Sequence, residues 1–261
     1  MILNKRKKIT LALVETFKKA GDIAIKLRKQ GLIKKIKSDN TPVTNGDLEV
    51  NNLLYKKIKS LTPNIKIISE ENSENKKEKN LKNFWLIDPI DGTYDYINNK
   101  DEFTINAALI INKKPVLGII SAPGKKRLFY SYGPNESFEI KNKKKIKLIN
   151  NKKKKLDSIS AVTYSNKLKP EILKIHKKFN VTYFKRMKSS LKFCVIAANE
   201  YDLYVAEPRA CEWDIAAGHA ILEHAGGSLT DFKGSKIMYG KPNFKNPSLI
   251  LKGKNLIWMN K

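Results

Sequence analysis

The stretch Trp85-Leu86-Ile87-Asp88-Pro89-Ile90-Asp91-Gly92-Thr93 decides how the rest of the chain is interpreted. Its apolar start predicts a short buried strand, and Pro89 predicts that this strand cannot continue as a central member of a sheet. Asp88 and Asp91 then share one strand-to-loop corner, where two carboxylates repel each other unless a cation lies between them. Oxygen ligands favour Mg²⁺, Mn²⁺ or Ca²⁺ over zinc, and Gly92 lets the backbone approach an anion closely. The alternative is an ordinary turn after a core strand.

Three other motifs place an acid beside turn-forming or hydroxyl residues. They are Thr41-Pro42-Val43-Thr44-Asn45-Gly46-Asp47, Ser69-Glu70-Glu71-Asn72 and Trp213-Asp214-Ile215-Ala216-Ala217-Gly218. Together with residues 88–93 they resemble, in the same order, the signatures of the inositol monophosphatase superfamily. That superfamily consists of lithium-sensitive, Mg²⁺-dependent phosphomonoesterases. Within it, Glu102-Phe103-Thr104-Ile105-Asn106 and Ser189-Ser190-Leu191-Lys192-Phe193-Cys194 resemble the CysQ branch of 3'(2'),5'-bisphosphate nucleotidases.

The resemblance implies a set of metal ligands that are all oxygen donors. The set comprises the side chains of Glu70, Asp88, Asp91 and Asp214 and the carbonyl of Ile90. Two or three Mg²⁺ ions are expected on these ligands. Such ions bind phosphoryl oxygens, lower the pKa of water and stabilise a leaving oxygen, which is the chemistry that phosphate-ester hydrolysis needs.

The acids also have structural explanations that need no metal. Asp47 and Asp214 lie where helical patterns begin, and a carboxylate at such a position caps free backbone amides. Glu70 and Glu71 are typical of a solvated loop that follows a strand, and the resemblance selects Glu70 as the ligand. The residues alone leave both explanations open.

The resemblance assigns water activation to Thr93, whose hydroxyl is expected to be polarised by Asp47. It assigns phosphate binding to the backbone amides of Gly92 and Thr93. No phosphoenzyme and no cysteine or histidine nucleophile is expected. His219 and His224 lie on one predicted helix without a metal-ligand spacing, and we interpret them as structural.

The start of one predicted helix supplies candidate ligands for a second phosphate group of the substrate. Ser189 and Lys192 are one helical turn apart, so both can face a phosphate or a ribose oxygen. The alternative is that Ser189 and Lys192 are only polar residues at the start of a helix and bind no ligand. The resemblance to the nucleotidase branch implies adenosine 3',5'-bisphosphate as the substrate and AMP and phosphate as the products.

One departure from that branch keeps a second substrate open. The branch commonly carries a Pro-Arg pair after the position of Leu203-Tyr204, whereas this chain has Val205-Ala206-Glu207. Arg209 is the candidate replacement for the missing arginine. Glu207 instead resembles an acid that inositol phosphatases use to bind sugar hydroxyls. Inositol monophosphate, or a related sugar phosphate, is therefore the alternative substrate.

Hydrophobic periodicity predicts two halves of different architecture. Residues 1–150 begin with two amphipathic helices, and Leu48 is expected on the apolar face of the second. The segments that follow are rich in strands. This pattern indicates an α+β half with a mixed, largely antiparallel sheet, and this half contains most of the expected metal ligands. Residues 151–261 alternate strands and helices, which is typical of an α/β half, and contain Asp214 and the substrate-selecting residues. The resemblance implies a layered αβαβα sandwich of the sugar-phosphatase type.

The formal net charge of +27 has three competing explanations. It is typical of nucleic-acid binding, of attraction to an anionic substrate or membrane surface, or of a lysine-biased genome. The lysines are scattered except at 141–155, which we interpret as an exposed strand and linker. A nucleic-acid-binding protein on a dead phosphatase scaffold is thus a hypothesis from another class, but the intact acids argue against it, and no nucleic-acid partner is expected.

The remaining features concern compartment and assembly. Cys194 and Cys211 lie in unrelated contexts, which favours free thiols in a reducing compartment. No apolar run reaches the length of a membrane span, and the start of the chain does not match a signal peptide. A cytoplasmic location is expected, including the cytoplasmic face of the inner membrane. The partner is a small anionic substrate, and the protein is expected to be a monomer or homodimer.

Overall fold

A computed structural model of the chain describes residues 1–38, 40–71, 81–149 and 158–258. Its helices are α1 (Leu3–Gln30), α2 (Asn45–Leu61), α3 (Thr93–Ile97), α4 (Pro170–Lys178), α5 (Leu191–Ala197), α6 (Glu212–His224) and α7 (Lys254–Trp258). A large sheet contains β3 (Lys66–Ser69), β4 (Phe84–Asp91), β5 (Thr104–Ile111), β6 (Lys114–Ala122), β7 (Arg127–Gly133), β8 (Glu136–Lys141) and β9 (Lys144–Lys147). A small sheet contains β10 (Ile159–Thr163), β11 (Val181–Arg186), β12 (Leu203–Ala206), β13 (Ser228–Thr230) and β14 (Leu249–Lys252), and a hairpin contains β1 (Lys34–Ile36) and β2 (Pro42–Thr44).

The helices and sheets form five alternating layers. The large sheet runs in sequence order from β3 to β9, with one parallel pair, β3 and β4, and antiparallel pairs after it. The small sheet has the order β11-β10-β12-β14-β13 and mixes parallel and antiparallel pairs. Helices α1 and α2 cover one face of the large sheet, α5 and α6 lie between the sheets, and α4 covers the small sheet. The predicted αβαβα sandwich is confirmed.

Helix α1 illustrates how the sequence builds this core. Its buried side chains recur three and four residues apart and include Leu13, Phe17 and Ala24, so a single apolar face packs on the large sheet. Burial of each large apolar side chain contributes about 1.5–3 kcal/mol before the entropy cost of ordering. The helix ends at Gly31, whose φ of 98° is accessible to glycine at no steric cost.

Strand β4 corrects the interpretation of Pro89. The strand was expected to end at Asp88 and instead continues to Asp91, but beyond Ile87 it pairs with β5 alone, so it does not continue past Pro89 as a central member of the sheet. The pairing of β4 with β5 has an irregularity between Asp88 and Asp91, and the pairing with β3 has already ended at Ile87. Proline is tolerated at a bulge of this kind because no ladder hydrogen bond needs its missing N–H. The bulge turns the end of β4 into the corner that carries both acids.

Other differences from the predictions are local. Leu48 was expected on the apolar face of α2 but is 43% exposed, and Val50 is buried instead. Helix α3 and the β1–β2 hairpin were not predicted, because both are too short for a periodic pattern. The predicted loop at 72–82 lies almost wholly outside the described residues. The predicted boundary between residues 150 and 151 also lies outside the described residues. The division into two halves therefore stays a prediction.

The lysine-rich run is described only as far as residue 149. There β9 forms the exposed edge of the large sheet, as predicted, and each of its residues is exposed. Charged edge strands discourage pairing with another chain. In the part of the chain that the structure describes, no helix is both long enough and apolar enough to cross a membrane.

The buried His224 predicts how stability depends on pH. Burial at the end of α6 lowers the pKa of its imidazole to about 4. Between about pH 6.5 and pH 4 the unfolded chain therefore binds a proton that the folded chain excludes, so the free energy of unfolding decreases as the pH falls through this window. The shift corresponds to about 3 kcal/mol. Urea titrations should show a weaker decrease between pH 7 and pH 4 in His224→Gln than in the original chain, and equal decreases would contradict this assignment.

Candidate active site

A pocket of about 490 Å³ lies where the ends of β3 and β4 meet the starts of α3 and α6. Three of the predicted metal ligands, Glu70, Asp91 and Asp214, line it. The fourth, Asp88, is only 1% exposed and is close enough to be affected by the charges of the other three. The structure thus brings together four acids that are spread over 145 positions of the sequence.

Strand pairing and a helix start position these acids. Strands β3 and β4 are parallel, with Ser69 beside Ile87, and the Glu70 amide donates to the Ile87 carbonyl at 3.0 Å. Glu70 and Asp88 therefore follow at the same edge of the sheet. Asp214 lies in the first turn of α6, where its carboxylate accepts the Cys211 N–H at 2.7 Å. Asp214 therefore caps the start of α6 and also lines the pocket.

The acids destabilise one another's charged forms. Burial raises the pKa of Asp88 well above its usual range, and the negative charges of its three acidic neighbours raise it further. Burial also raises the pKa of Asp214, with Asp91 and Glu70 as the next causes. A cluster of this kind is stabilised by protons or by cations. At neutral pH a divalent cation is the species that offsets several carboxylates at once.

The donor set fits a hard cation such as Mg²⁺. Both carboxylate oxygens of Asp88 are buried and lack a hydrogen-bond donor; the nearest candidate, Glu70, is itself a carboxylate and donates only when protonated. Oxygen donors without competing nitrogen or sulfur are what Mg²⁺ prefers. Within the described ranges, no group of three or more acidic, histidine or cysteine side chains is placed so that it could hold a metal ion without rearrangement. The fit therefore rests on the unpaired oxygens of Asp88 and on the mutual repulsion of the four acids.

Thr93 and Asp47 meet at the edge of the pocket. The Thr93 hydroxyl lies 3.4 Å from Asp47 Oδ1 and 3.0 Å from the Ile90 carbonyl. The other oxygen of Asp47 accepts the N–H and the hydroxyl of Thr44 at 2.8 and 2.6 Å, in a capping box at the start of α2. Burial raises the pKa of Asp47, while the bonds from Thr44 lower it. Asp47 thus caps its helix with one oxygen and faces Thr93 with the other.

Gly92 gives the chain its turn between β4 and α3. Its φ is 89°, and a Cβ at this position would lie 3.2 Å from the Glu102 carbonyl oxygen. A larger residue would therefore be strained both in its backbone and by this contact. The turn places Gly92 and Thr93 on the pocket wall at the first turn of α3, where backbone amides lack acceptors within the helix.

Lys37 is a cation that the sequence analysis missed. Its ammonium lies 2.6 Å from Glu71 and 3.3 Å from Glu70. Glu71 does not line the pocket, whereas Glu70 does. This arrangement agrees with the selection of Glu70 rather than Glu71 as the candidate ligand. No sequence signal links Lys37 to these acids, since it lies 33 residues away in a polar loop.

The predicted substrate-selecting residues do not all face the pocket. Lys192 lines it, and its ammonium donates to the carbonyls of Ser189 and Lys188 at 2.7 and 2.9 Å. An ammonium has three donors, so one remains for a ligand. Ser189 is 0% exposed, does not line the pocket, and accepts the Leu191 N–H at 3.4 Å. Its interpretation as a ligand contact is not supported by this position.

Arg209 lines two neighbouring cavities, and Glu207 lines the smaller of the two. Arg209 lines the pocket, and its guanidinium lies 3.1 Å from the ring centroid of Tyr164, which also lines it. Glu207 instead lines a neighbouring cavity of about 230 Å³ and pairs with Lys169 at 3.0 Å. Two residues of the pocket were not predicted from the sequence: Tyr164, which carries no local motif, and Lys188, which lies directly before the Ser189 motif.

The fold and the pocket define a class of protein. Five alternating layers with an acidic, oxygen-lined pocket at the sheet edge are typical of layered phosphatases for small phosphate esters. The model of the inositol monophosphatase family matches residues 5–256. The chain belongs to this family, as the motifs predicted, and the family is in general Mg²⁺-dependent.

Individual relatives are more specific. The chain is 37% identical over 207 residues to the 3'(2'),5'-bisphosphate nucleotidase CysQ of Buchnera aphidicola, and the match covers 78% of this chain and 76% of that protein. A crystal structure of CysQ from Bacteroides thetaiotaomicron is 27% identical, with a TM-score of 0.73 over 94% of this chain and 97% of that chain. A staphylococcal inositol monophosphatase is 18% identical with a TM-score of 0.78 over 95% of this chain and 92% of that chain, and this likeness concerns the fold alone.

Proposed function

We propose that this chain is a Mg²⁺-dependent phosphomonoesterase that hydrolyses the 3'-phosphate of adenosine 3',5'-bisphosphate to AMP and phosphate. The observation that carries the proposal is its similarity to 3'(2'),5'-bisphosphate nucleotidases over most of both chains. The acidic pocket supports the chemistry, and the cations on its wall support the choice of a substrate with two phosphates.

Metal binding is assigned to the acids of the pocket. Two or three Mg²⁺ ions would be held by the side chains of Glu70, Asp88, Asp91 and Asp214 and the carbonyl of Ile90. Bound Mg²⁺ supplies positive charge for the phosphoryl oxygens and lowers the pKa of water. The negative charges that raise the pKa of Asp88 are the same charges that favour binding of cations here.

The other residues orient the reactants. Thr93 accepts a hydrogen bond from the attacking water when its hydroxyl proton is donated to Asp47, whose Oδ1 lies 3.4 Å away, or to the Ile90 carbonyl at 3.0 Å. The hydroxyl has one proton, so donation to Asp47 leaves its lone pairs free to accept from water. The amides of Gly92 and Thr93 bind the phosphoryl oxygens. No side-chain nucleophile is required.

A nucleotide suits the pocket wall better than inositol does. Lys192 and Arg209 supply cations for a second phosphate, and the Arg209 guanidinium lies over the ring of Tyr164, which is 37% exposed and lines the same pocket. The inositol alternative depends on Glu207, which is paired with Lys169 and does not line the pocket. Glu207 therefore gives a sugar substrate less support than Lys192 and Arg209 give a nucleotide.

Phosphate release from a panel of substrates tests the proposed function. With Mg²⁺ present, adenosine 3',5'-bisphosphate should be hydrolysed more efficiently than inositol 1-phosphate and fructose 1,6-bisphosphate, and EDTA or lithium should suppress the reaction. Preference for inositol 1-phosphate would overturn the substrate assignment. Tight, salt-dependent binding of single-stranded RNA without phosphatase activity would favour the alternative nucleic-acid-binding hypothesis.

Lys192→Gln should separate the two substrate classes. The amide can still donate to the backbone carbonyls, but the charge that faces the pocket is lost. Charge-assisted contacts to phosphate contribute about 1.5–3 kcal/mol, so kcat/KM for adenosine 3',5'-bisphosphate should fall about tenfold to a hundredfold. Hydrolysis of a substrate with one phosphate should change far less.

Two further variants control this prediction. Lys174→Ala removes a lysine from the outer helix α4 and should change neither rate, while Glu207→Ala should have little effect on the nucleotide. Equal losses on both substrates in Lys192→Gln would indicate that Lys192 supports the common phosphate site. A selective loss on inositol 1-phosphate in Glu207→Ala would revive the sugar alternative.

A further inference from the structure

The two segments that resemble the nucleotidase branch are joined in the structure, although they lie more than 80 residues apart. Asn106 Nδ2 donates to Ser190 Oγ at 3.2 Å, and the Glu102 carboxylate accepts the Lys188 N–H just before the second segment. Asn106 and Ser190 are 0% and 1% exposed. The proposed reaction does not use this network.

Ser190 contacts Asp91 at the end of β4 and Asp214 at the start of α6. Its hydroxyl lies 2.6 Å from Asp91 Oδ2, its backbone N–H donates to the same oxygen, and the hydroxyl also contacts the backbone carbonyl of Asp214. Thr104 adds a third donor to Asp91 Oδ2 at 3.3 Å. All three hydrogen bonds that the structure gives to the Asp91 carboxylate therefore fall on one oxygen. The other oxygen, Oδ1, is left for a cation.

The proton of Ser190 has a restricted choice. A hydroxyl donates one hydrogen bond and accepts two. Because Asn106 donates to it, the hydroxyl proton points either to Asp91 Oδ2 or to the Asp214 carbonyl. The Ser190 backbone N–H donates to Asp91 Oδ2 in either case, so a hydroxyl proton on the Asp214 carbonyl lets Ser190 tie β4 to the first turn of α6. Donors on a ligating carboxylate orient it and set its affinity for metal.

We propose that Ser190 is a positioning residue that fixes Asp91 relative to Asp214 for cation binding, with Asn106 fixing Ser190 in turn. The inference rests on the proposed function only in taking these two acids as Mg²⁺ ligands. It does not depend on which phosphate ester is hydrolysed. Ser190 itself need not touch substrate or metal.

Isothermal titration of the full chain with Mg²⁺, after removal of metal with EDTA, tests the inference without any substrate. Ser190→Ala should weaken Mg²⁺ binding about tenfold to a hundredfold, which is typical of the loss of an outer partner of a metal ligand. The matched control is Ser137→Ala, because the Ser137 hydroxyl is also buried and also donates to a carbonyl of α6, that of Ile221 at 3.0 Å. Its Mg²⁺ affinity should stay within about twofold of the original.

Thermal unfolding in EDTA separates positioning from stability. Both serine variants should lose similar stability, since each loses a buried hydrogen bond, yet only Ser190→Ala should lose Mg²⁺ affinity. Unchanged Mg²⁺ affinity in Ser190→Ala would overturn the inference while leaving the proposed hydrolysis intact. Absence of Mg²⁺ binding by the original chain would overturn both. If Ser190→Ala does not fold, Asn106→Ala should weaken Mg²⁺ binding in the same direction, and unchanged affinity there would overturn the inference.

Discussion

Asp88→Asn should abolish phosphate release almost completely and, in the same protein, raise the melting temperature measured without Mg²⁺. The activity should fall about a thousandfold or more, because the change removes a charged ligand and several kcal/mol of transition-state stabilisation. Stability should rise because the buried Asp88 oxygens have no hydrogen-bond donor and face three other acids. Relief of about 1–2 kcal/mol corresponds to a few degrees in Tm.

The gain in stability should depend on pH in a defined direction. The pKa of Asp88 is raised in the folded chain, so the folded state holds a proton that the unfolded state releases. Stability of the original protein therefore falls as the pH rises above the ordinary carboxyl range. The advantage of Asp88→Asn, which cannot ionise, should be larger at pH 8 than at pH 5. Scanning calorimetry at both values, with EDTA present, measures it.

Asp202→Asn is the matched control for this prediction. Asp202 is also buried, but its Oδ2 accepts the N–H and the hydroxyl of Ser160 at 2.9 and 2.8 Å. Its replacement should lower stability and leave phosphatase activity nearly unchanged. Full activity in Asp88→Asn would remove Asp88 from the ligand set, and a lower Tm in EDTA would contradict the electrostatic argument.

Thr93→Ala should lower kcat about a hundredfold to a thousandfold and change KM only a little. The variant keeps the backbone amide that is assigned to phosphate binding and loses the hydroxyl that lies between Asp47 and the pocket. Orientation of water and transfer of its proton matter mainly in the transition state, and such contributions are typically 10²–10⁴-fold. Steady-state kinetics with adenosine 3',5'-bisphosphate at saturating Mg²⁺ measures the effect.

Thr93→Ser provides the comparison, since it retains the hydroxyl and removes only a methyl group. Its kcat should stay within about tenfold of the original. A rise in KM with unchanged kcat in Thr93→Ala would make Thr93 a binding residue and exclude its role with water. Circular dichroism and Mg²⁺ titration of both variants separate a kinetic effect from loss of α3 or of metal binding.

Some features of this protein follow from short stretches of sequence. The repeat of Leu13, Phe17 and Ala24 is sufficient to predict α1, and Gly31 is sufficient to predict its end, because helix geometry depends on residues within one or two turns. The acids of the site were also found in the sequence, since the motifs that contain them are contiguous. The strand before Asp88 was predicted for the same reason.

Other features depend on which distant segments meet. Pro89 was expected to prevent β4 from continuing as a central strand, and β4 does continue to Asp91, but paired with β5 alone, because the end of β3 beside Ile87 and the bulge opposite β5 remove the need for the proline N–H. Whether proline breaks a strand depends on its neighbours in the sheet, and no local pattern specifies them. The partner of Asp91, Ser190, is 99 residues away.

The choice between possible partners is likewise made in three dimensions. Glu207 and Ser189 carry suitable groups for a ligand, yet one pairs with Lys169 outside the pocket and the other is buried. A charge or hydroxyl pairs with whatever group the packed layers bring within about 3 Å, and its worth depends on burial, which is a property of the whole fold. The sequence by itself determined most of the longer helices and strands, the family and the acids of the site. Only the tertiary structure decided which of these groups face one pocket, because packing of the two sheets around α5 and α6 sets their distances.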